Sequence, residues 1–221
     1  MRRALVLVEH RQGVVSDVTF EMLKAARDLG CEVDAVLLGS ECQSLVSALQ
    51  SQVHRLLVCH SSGLQDFNYE TYQWVLVRLV KELSPAVVML AHSAFGSELG
   101  PSLAAELDAA LVSDATGFRW EDDALLVSRG MYQGKVCADW RCRVPPVVAM
   151  VRPSSFRPGP SELGGSVVEW DASGMPGPKT RFVGFEEIPT TGIDITRAEV
   201  IVAVGRGLKD VKNLAAVKQF A

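Results

Sequence analysis

One short segment, Gly205-Arg206-Gly207, has residue types that bind phosphate, and it stands between a predicted strand and a predicted helix. In that context glycines let backbone amides approach a phosphate, and the helix N-terminus adds partial positive charge. Arg206 could form two hydrogen bonds to a pyrophosphate. The motif lacks the third glycine of the dinucleotide fingerprint, so a tight turn with a solvated arginine explains it equally well.

A second segment, residues 93–97, follows the predicted fourth strand at the sheet edge where α/β proteins bind ligands. His92 lies beside it, so this edge could hold a nucleotide, an anion or a hydroxyl–imidazole pair. Ser93 and Ser97 are equally ordinary helix N-cap residues. The Gly-x-Ser-x-Gly elbow typical of α/β hydrolases does not occur in the sequence, which disfavours hydrolase chemistry.

Metal binding has little support in the sequence. Glu121, Asp122 and Asp123 are adjacent, and adjacent side chains in an extended segment point in different directions, so a solvated turn explains them better. The cysteines form no Cys-x-x-Cys pair, which disfavours a zinc site and a disulfide framework; they are Cys31, Cys42, Cys59, Cys137 and Cys142. We predict no metal site.

Composition narrows the class of protein further. The chain has 221 residues, of which 48% are hydrophobic, so it can bury a core and is not intrinsically disordered. Its net charge is −4 and its basic residues do not cluster, which disfavours nucleic acid as a partner. The apolar run after Met1 stops at Glu9, too soon for a signal peptide or a membrane span. We predict a soluble, cytoplasmic protein without membrane insertion.

The first half of the chain alternates short apolar runs with segments of helical period. The predicted strands are residues 4–8, 33–38, 55–59 and 86–91, and the predicted helices are residues 14–29, 43–49, 69–83 and 97–107. This alternation predicts an α/β fold: an open, mostly parallel sheet with helices on both faces, Rossmann-like or adenine-nucleotide-hydrolase-like.

After residue 109 the pattern changes to strands joined by short turns. We predict strands at residues 111–112, 125–129, 135–141, 147–151 and 167–170. Glycines between residues 129 and 135 indicate an antiparallel hairpin. We expect these strands to extend the same sheet or cap its edge, and we expect the Pro-, Ser- and Gly-rich residues 152–178 to form a surface excursion.

The end of the chain has the pattern of a second, smaller piece. Residues 189–194 are turn-rich, residues 198–204 predict a buried strand, and residues 208–220 predict an amphipathic helix. One strand and one helix cannot enclose a core. We therefore predict an α/β scaffold domain over residues 1–188 and, over residues 189–221, a linker and the β-α start of another domain. That piece should be mobile or packed on a neighbouring molecule.

Several segments, taken in order, resemble the alpha subunit of electron transfer flavoprotein across the whole chain. Residues 5–9 with Gly13 are similar to the start of its first β-α-β unit, and residues 96–107 to its Gly-x-x-Leu-x-Pro-x-Leu-Ala-x-x-Leu signature, followed by Asp114. Later matches are Arg129 with Gly134-Lys135, the Val-Arg-Pro segment at 151–156, and the Gly-Arg-Gly-Leu turn at 205–208.

The resemblance implies a two-domain subunit of a heterodimeric electron carrier. Its first domain normally carries no nucleotide and serves as a scaffold for the electron transfer flavoprotein beta subunit. Its second domain is flavodoxin-like and holds FAD, with Arg206 on the pyrophosphate side and Gly205 and Gly207 flanking it. The carrier would take electrons from acyl-CoA or related dehydrogenases to a quinone-linked or other acceptor oxidoreductase. No catalytic residues are expected, because the flavin does the redox chemistry.

Two departures from the family pattern affect the FAD site. Val204 stands where a glycine commonly precedes the Gly-Arg-Gly turn, and the sequence stops at Ala221, inside the first helix of that domain. We therefore expect these 221 residues to hold FAD poorly. Two other hypotheses stay open: a free-standing interaction or adenine-nucleotide-binding module that uses residues 93–97, and, with less support, an α/β hydrolase or nucleotide-processing enzyme.

Overall fold

The computed structural model describes residues 1–186, 198 and 200–221. The chain forms two compact units, Met1–Phe182 and Val183–Ala221. The predicted domain boundary at residues 188 and 189 and the predicted linker at 189–194 lie outside the described residues and stay predictions. Each unit is considered by itself.

The first unit contains eleven strands and four α-helices in its described residues. The strands are β1 (Arg3–Leu7), β2 (His10–Arg11), β3 (Val14–Val15), β4 (Glu32–Gly39), β5 (Arg55–His60), β6 (Val87–Ala91), β7 (Ala110–Glu121), β8 (Ala124–Met131), β9 (Val136–Cys142), β10 (Val147–Val151) and β11 (Ser166–Glu169). The helices are α1 (Asp17–Asp28), α2 (Gln43–Gln50), α3 (Tyr69–Leu83) and α4 (Ala94–Glu106). Among these residues no helix is long and apolar enough to cross a membrane.

Nine of the strands form one sheet, in the order β11-β5-β4-β1-β6-β10-β7-β8-β9. The strands from β11 to β7 are parallel to their neighbours. Successive residues of β1 enter different core clusters: Val6 packs with Met22 of α1, and Leu5 packs with Leu76 of α3. Both faces of the parallel part of the sheet are therefore covered, which confirms the predicted α/β fold class.

Helix α3 shows how local sequence sets an element's bounds, since the structure places it where the pattern predicts. Asn68 caps it, because its side-chain oxygen accepts hydrogen bonds from the backbone N–H groups of Glu70 at 3.0 Å and Thr71 at 3.4 Å. The helix ends at Ser84, which is in the left-handed conformation with φ of 47°. A capped amphipathic helix of this kind is well specified by its own residues.

The second half of the sheet contains an antiparallel meander of β7, β8 and β9, which confirms that these strands extend the same sheet. The two-residue prediction at 111–112 was too short, because β7 has twelve residues. This strand changes partner along its length, from parallel β10 to antiparallel β8, and its register shifts at both pairings. Bulges of this kind break the apolar alternation by which a strand is recognised.

Two helices of the first unit begin three residues away from their predicted starts. The helix predicted from residue 14 begins at Asp17, because Val14–Val15 pairs with His10–Arg11 in a small hairpin. The hairpin turn is Gln12-Gly13, with φ of 50° and 77°. Helix α4 begins at Ala94 instead of residue 97, since Ser93 is its N-cap residue.

The second unit departs furthest from its prediction. None of its described residues lies in a strand, so the buried strand predicted at 198–204 is wrong: Val200 is 81% and Ile201 58% exposed. The predicted helix at 208–220 is also shorter, with 3-10 turns at Arg206–Leu208 and Val211–Asn213 before α5 (Leu214–Phe220). The physical reason is that a strand needs a hydrogen-bonded neighbour, and the described part of this unit offers none.

Candidate functional site

The sheet has a topological switch point at β1. The chain runs from β1 to β4 and β5 on one side and then returns to β6 on the other. In open α/β sheets, ligands bind at the carboxyl ends of the strands beside such a point. Here Glu9 follows β1, and His92 and Ser93 follow β6.

Ser93 uses its hydroxyl group to cap α4. Its Oγ accepts a hydrogen bond from the backbone N–H of Gly96 at 3.2 Å and donates one to Glu9 Oε2 at 2.5 Å. Of the two alternatives that the sequence left open, the structure thus supports the N-cap role. The Glu9 carboxylate next to it would repel a phosphate at this end of the helix, which argues against an adenine nucleotide there.

Close packing also characterises this edge of the sheet. A Cβ atom built on Gly96 would lie only 1.8 Å from the carbonyl oxygen of Ala91, the last residue of β6. The first turn of α4 therefore rests directly against the strand end, and glycine is required at this position by a close approach of backbone to backbone.

His92, Asp114 and Arg152 form a polar cluster at the same edge. Arg152 Nε donates a hydrogen bond to Asp114 Oδ1 at 2.7 Å, its Nη2 donates to Oδ2, and His92 Nδ1 lies 3.3 Å from Oδ1. The arginine hydrogen bonds lower the pKa of Asp114, and His92 lowers it further. Asp114 lies at the register shift between β7 and β10, with φ of 61°.

The cluster gives a structural role to Asp114 and Arg152, which the sequence marked only through the family resemblance. Asp114 has a backbone conformation that costs a non-glycine residue about 1 kcal/mol or more, and the two-pronged contact with Arg152 holds it there. The backbone N–H of Arg152 also donates to the carbonyl of Ala115 at 3.0 Å. We therefore assign the cluster to fixing the register shift of β7.

A substitution at Asp114 tests this role through its pH dependence. Because the folded-state pKa is lowered, the charged carboxylate stabilises the fold above the ordinary pKa of 3.8, and that stabilisation is lost as the pH falls through the folded value. We expect Asp114→Asn to lower the free energy of unfolding at pH 7 by about 1–2 kcal/mol. The difference from the wild type, measured by urea titration, should shrink below pH 4; a constant difference would contradict the assignment.

The predicted cofactor residues Gly205, Arg206 and Gly207 lie together in the second unit, and all three are exposed. The two glycines border an open, apolar hollow of about 570 Å³, whose lining includes Leu208, Val217 and Phe220. A Cβ atom built on Gly205 or Gly207 would meet nothing within 4 Å. Arg206 forms no side-chain hydrogen bond or ion pair with any described residue.

Gly205, Arg206 and Gly207 fit the phosphate part of the expected cofactor, FAD. A guanidinium with no partner among the described residues, between two unobstructed glycines, suits a phosphate group, which needs a positive charge and close backbone approach. The hollow beside them is open to solvent, and only apolar residues and glycines line it. It therefore offers no polar groups to hold a flavin ring in one orientation.

The acidic run at residues 121–123 forms a turn, as predicted. Glu121 ends β7, and Asp122 and Asp123 join it to β8. Arg141 pairs with Glu121 and Asp122, and Arg2 with Asp123 at 3.1 Å. Within the described part of the chain, no three His, Cys, Asp or Glu side chains are grouped so that they could hold a metal ion.

Comparison with known families decides the membership. The model of the electron transfer flavoprotein domain matches residues 4–174, more than half of the chain. The chain belongs to the electron transfer flavoprotein family. The match covers the nine-stranded sheet with the helices that flank it, so the resemblance carried by the signature at 96–107 is confirmed.

Curated relatives agree with this membership in electron transfer flavoproteins. The subunit alpha of Bacillus subtilis is 28% identical over all of this chain and 69% of its own length. The subunit alpha of Megasphaera elsdenii is 31% identical over 92% of the chain and 63% of its own length. A probable mitochondrial subunit alpha of Caenorhabditis elegans is 26% identical over the whole chain and 66% of its own length. The similarity is therefore to the alpha subunit, and it spans about two thirds of each relative.

Proposed function

We propose that this chain is the alpha-type scaffold of a heterodimeric FAD-containing electron carrier. The observation that carries the proposal is the match of the electron transfer flavoprotein domain to residues 4–174, which is the unit with a complete core. A scaffold of this kind pairs with a beta subunit. The assembled carrier takes electrons from acyl-CoA or related dehydrogenases and delivers them to a quinone-linked or other acceptor, and it works in the cytoplasm.

The proposed role needs no acid–base or nucleophilic residue from this chain. The contacts of the carboxyl edge support that: the Ser93 hydroxyl is committed to Glu9 and Gly96, and the Asp114 carboxylate to Arg152. When FAD is bound, its isoalloxazine ring supplies the redox chemistry. The chain contributes Arg206, with Gly205 and Gly207, as a contact for the pyrophosphate.

The alternative of an adenine-nucleotide-binding module is not favoured. It needs an anion site at residues 93–97, and there the Glu9 carboxylate accepts the hydrogen bond of the Ser93 hydroxyl. The relatives from Bacillus subtilis and Megasphaera elsdenii are named as electron transfer flavoprotein subunits, not as nucleotide-binding modules.

A flavin assay tests how much of the cofactor site these 221 residues supply. We expect the chain, incubated with FAD and desalted, to retain well under one equivalent, because one unpaired arginine beside an open hollow cannot offset the loss of ligand freedom. The measurement is flavin absorbance relative to protein, with Arg206→Ala as the matched variant. Stoichiometric FAD on the isolated wild-type chain would contradict the inference that these residues supply only part of the cofactor site.

A further inference from the structure

On one face of the meander of β7, β8 and β9, buried core residues lie next to exposed apolar residues. Residues directly opposite each other in a ladder share a face of the sheet. Trp140 lies opposite fully buried Val127, and Val136 lies opposite Met131. Yet Trp140 is 46% and Val136 49% exposed. We call the set Arg129, Met131, Val136, Ala138 and Trp140 the outer apolar face.

The opposite face of the same meander carries charged side chains that pair with one another. There Arg119 Nη2 donates a hydrogen bond to Asp139 Oδ2 at 2.7 Å, and Ser128 Oγ donates to Asp139 Oδ1 at 2.5 Å. Arg141 pairs with Glu121. Each of these charges has a partner within the sheet, so this face suits contact with water.

Arg129 is the exception among the arginines of the meander. It lies opposite Ala115 and Ala138, on the outer apolar face. Its Nε is shielded from solvent and has no hydrogen-bond acceptor, and no ion pair with a described residue compensates its charge. A shielded donor without an acceptor destabilises the fold, and the cost is larger when the group is charged. The described part of the chain therefore supplies neither an acceptor for the Nε of Arg129 nor a counter-charge for its guanidinium.

We propose that the outer apolar face is the docking surface for the beta-type subunit, and that a carboxylate of that subunit pairs with Arg129. This inference rests on the heterodimer of the proposed function and adds the place and chemistry of the contact. Charge complementarity favours an acidic side chain, because no carboxylate of the described residues pairs with the guanidinium of Arg129. The exposed apolar residues around it favour a protein over a small anion, since tryptophan and arginine are typical of the energetic centres of protein interfaces.

The position of β9 adds a second reason for docking at this place. It is the last strand of the sheet, so one side of its backbone has no neighbouring strand among the residues that the structure describes. Exposed edges of this kind pair readily with a strand of another chain. A partner that covers the outer apolar face can therefore also satisfy backbone groups along Val136–Cys142.

The test uses the beta subunit of electron transfer flavoprotein encoded in the same genome, titrated with the full chain in calorimetry. Arg129→Ala should weaken the association at least about tenfold, because the buried carboxylate of the partner loses its counter-charge. Arg129→Glu should weaken it further. Trp140→Ser, on the same face, should also lose affinity. The matched control is Arg119→Ala, on the opposite face, which should bind within about twofold of the wild type.

Thermal melting of each variant alone separates docking from folding. Arg129→Met should melt at or above the wild-type temperature, since it removes an unpartnered donor and no native hydrogen bond. A large loss of stability would make Arg129 a structural residue and overturn the proposal. Wild-type association with undiminished binding by Arg129→Ala would overturn the docking surface and leave the proposed function standing.

Two further outcomes have defined meanings. If the wild-type chain does not associate with the beta subunit at all, both the proposed function and the docking surface fall. If the chain alone forms a dimer that Arg129→Ala dissociates, the face belongs to a second copy of this chain, which contradicts the proposal.

Discussion

Replacing Gly96 by alanine should destabilise the fold more than any other single methyl group added to α4. The new Cβ would lie 1.8 Å from the carbonyl oxygen of Ala91 and 3.0 Å from its carbonyl carbon, and both are backbone atoms of a strand end that cannot yield. We expect a loss of at least about 3 kcal/mol, seen as a melting temperature lower by about 10 °C or as failure to fold.

Gly100→Ala is the matched control, one turn later in the same helix. There the nearest atom to the new Cβ is Met150 Sδ at 2.6 Å, which belongs to a flexible side chain. Alanine also favours a helix by up to about 1 kcal/mol over glycine, so the net cost should stay within about 1 kcal/mol. Equal melting temperatures for the two variants would show that α4 does not rest against the end of β6 as described.

Asp34→Ala should cause the second large loss. Asp34 is 2% exposed, and Arg55 donates to it from Nε at 3.1 Å and from Nη2 at 2.7 Å. Arg3 Nε lies 3.1 Å from the same carboxylate. The change leaves two neighbouring guanidinium groups without their shared counter-charge, so we expect a loss of about 3 kcal/mol in free energy of unfolding, measured by urea titration.

Asp123→Ala is the control for charge removal at the surface. Asp123 pairs with Arg2 at 3.1 Å, and its side chain is fully exposed, so its loss should change the free energy of unfolding by less than about 0.5 kcal/mol. Asp34→Asn, which keeps the shape of the side chain, should lie between Asp34→Ala and the wild type. If Asp34→Ala is as mild as Asp123→Ala, the buried cluster does not stabilise the amino ends of β1, β4 and β5.

The parts of the fold that the sequence predicts well are those set by local residues. Helix α3 has its cap, its apolar face and its stop within one segment, and β10 is an uninterrupted apolar run, so both have their predicted bounds. Strand β7 is different: its length depends on two neighbours, β10 and β8, that lie elsewhere in the chain. The strand predicted at 198–204 failed for the same reason, since periodicity does not show whether a partner strand exists.

The candidate sites also differ in whether their residues are contiguous in the sequence, and this decides how well the sequence predicts them. The turn at Gly205-Arg206-Gly207 is contiguous, so motif and family resemblance could find it. The contact between Asp114 and Arg152 joins residues 38 positions apart, and the sequence marks them only as members of family segments. The sequence likewise marks Arg129 only as part of a family segment, and the ladder register is needed to show that its neighbours across the strands are alanines.

We propose that these residues form the partner-docking scaffold of an electron transfer flavoprotein. Light scattering on a chromatographed mixture of this chain with the beta subunit from the same genome tests it most directly. We expect a 1:1 complex at micromolar concentrations, formed by the wild-type chain and weakened by Arg129→Ala but not by Arg119→Ala. Separate elution of the two wild-type proteins at those concentrations would contradict it.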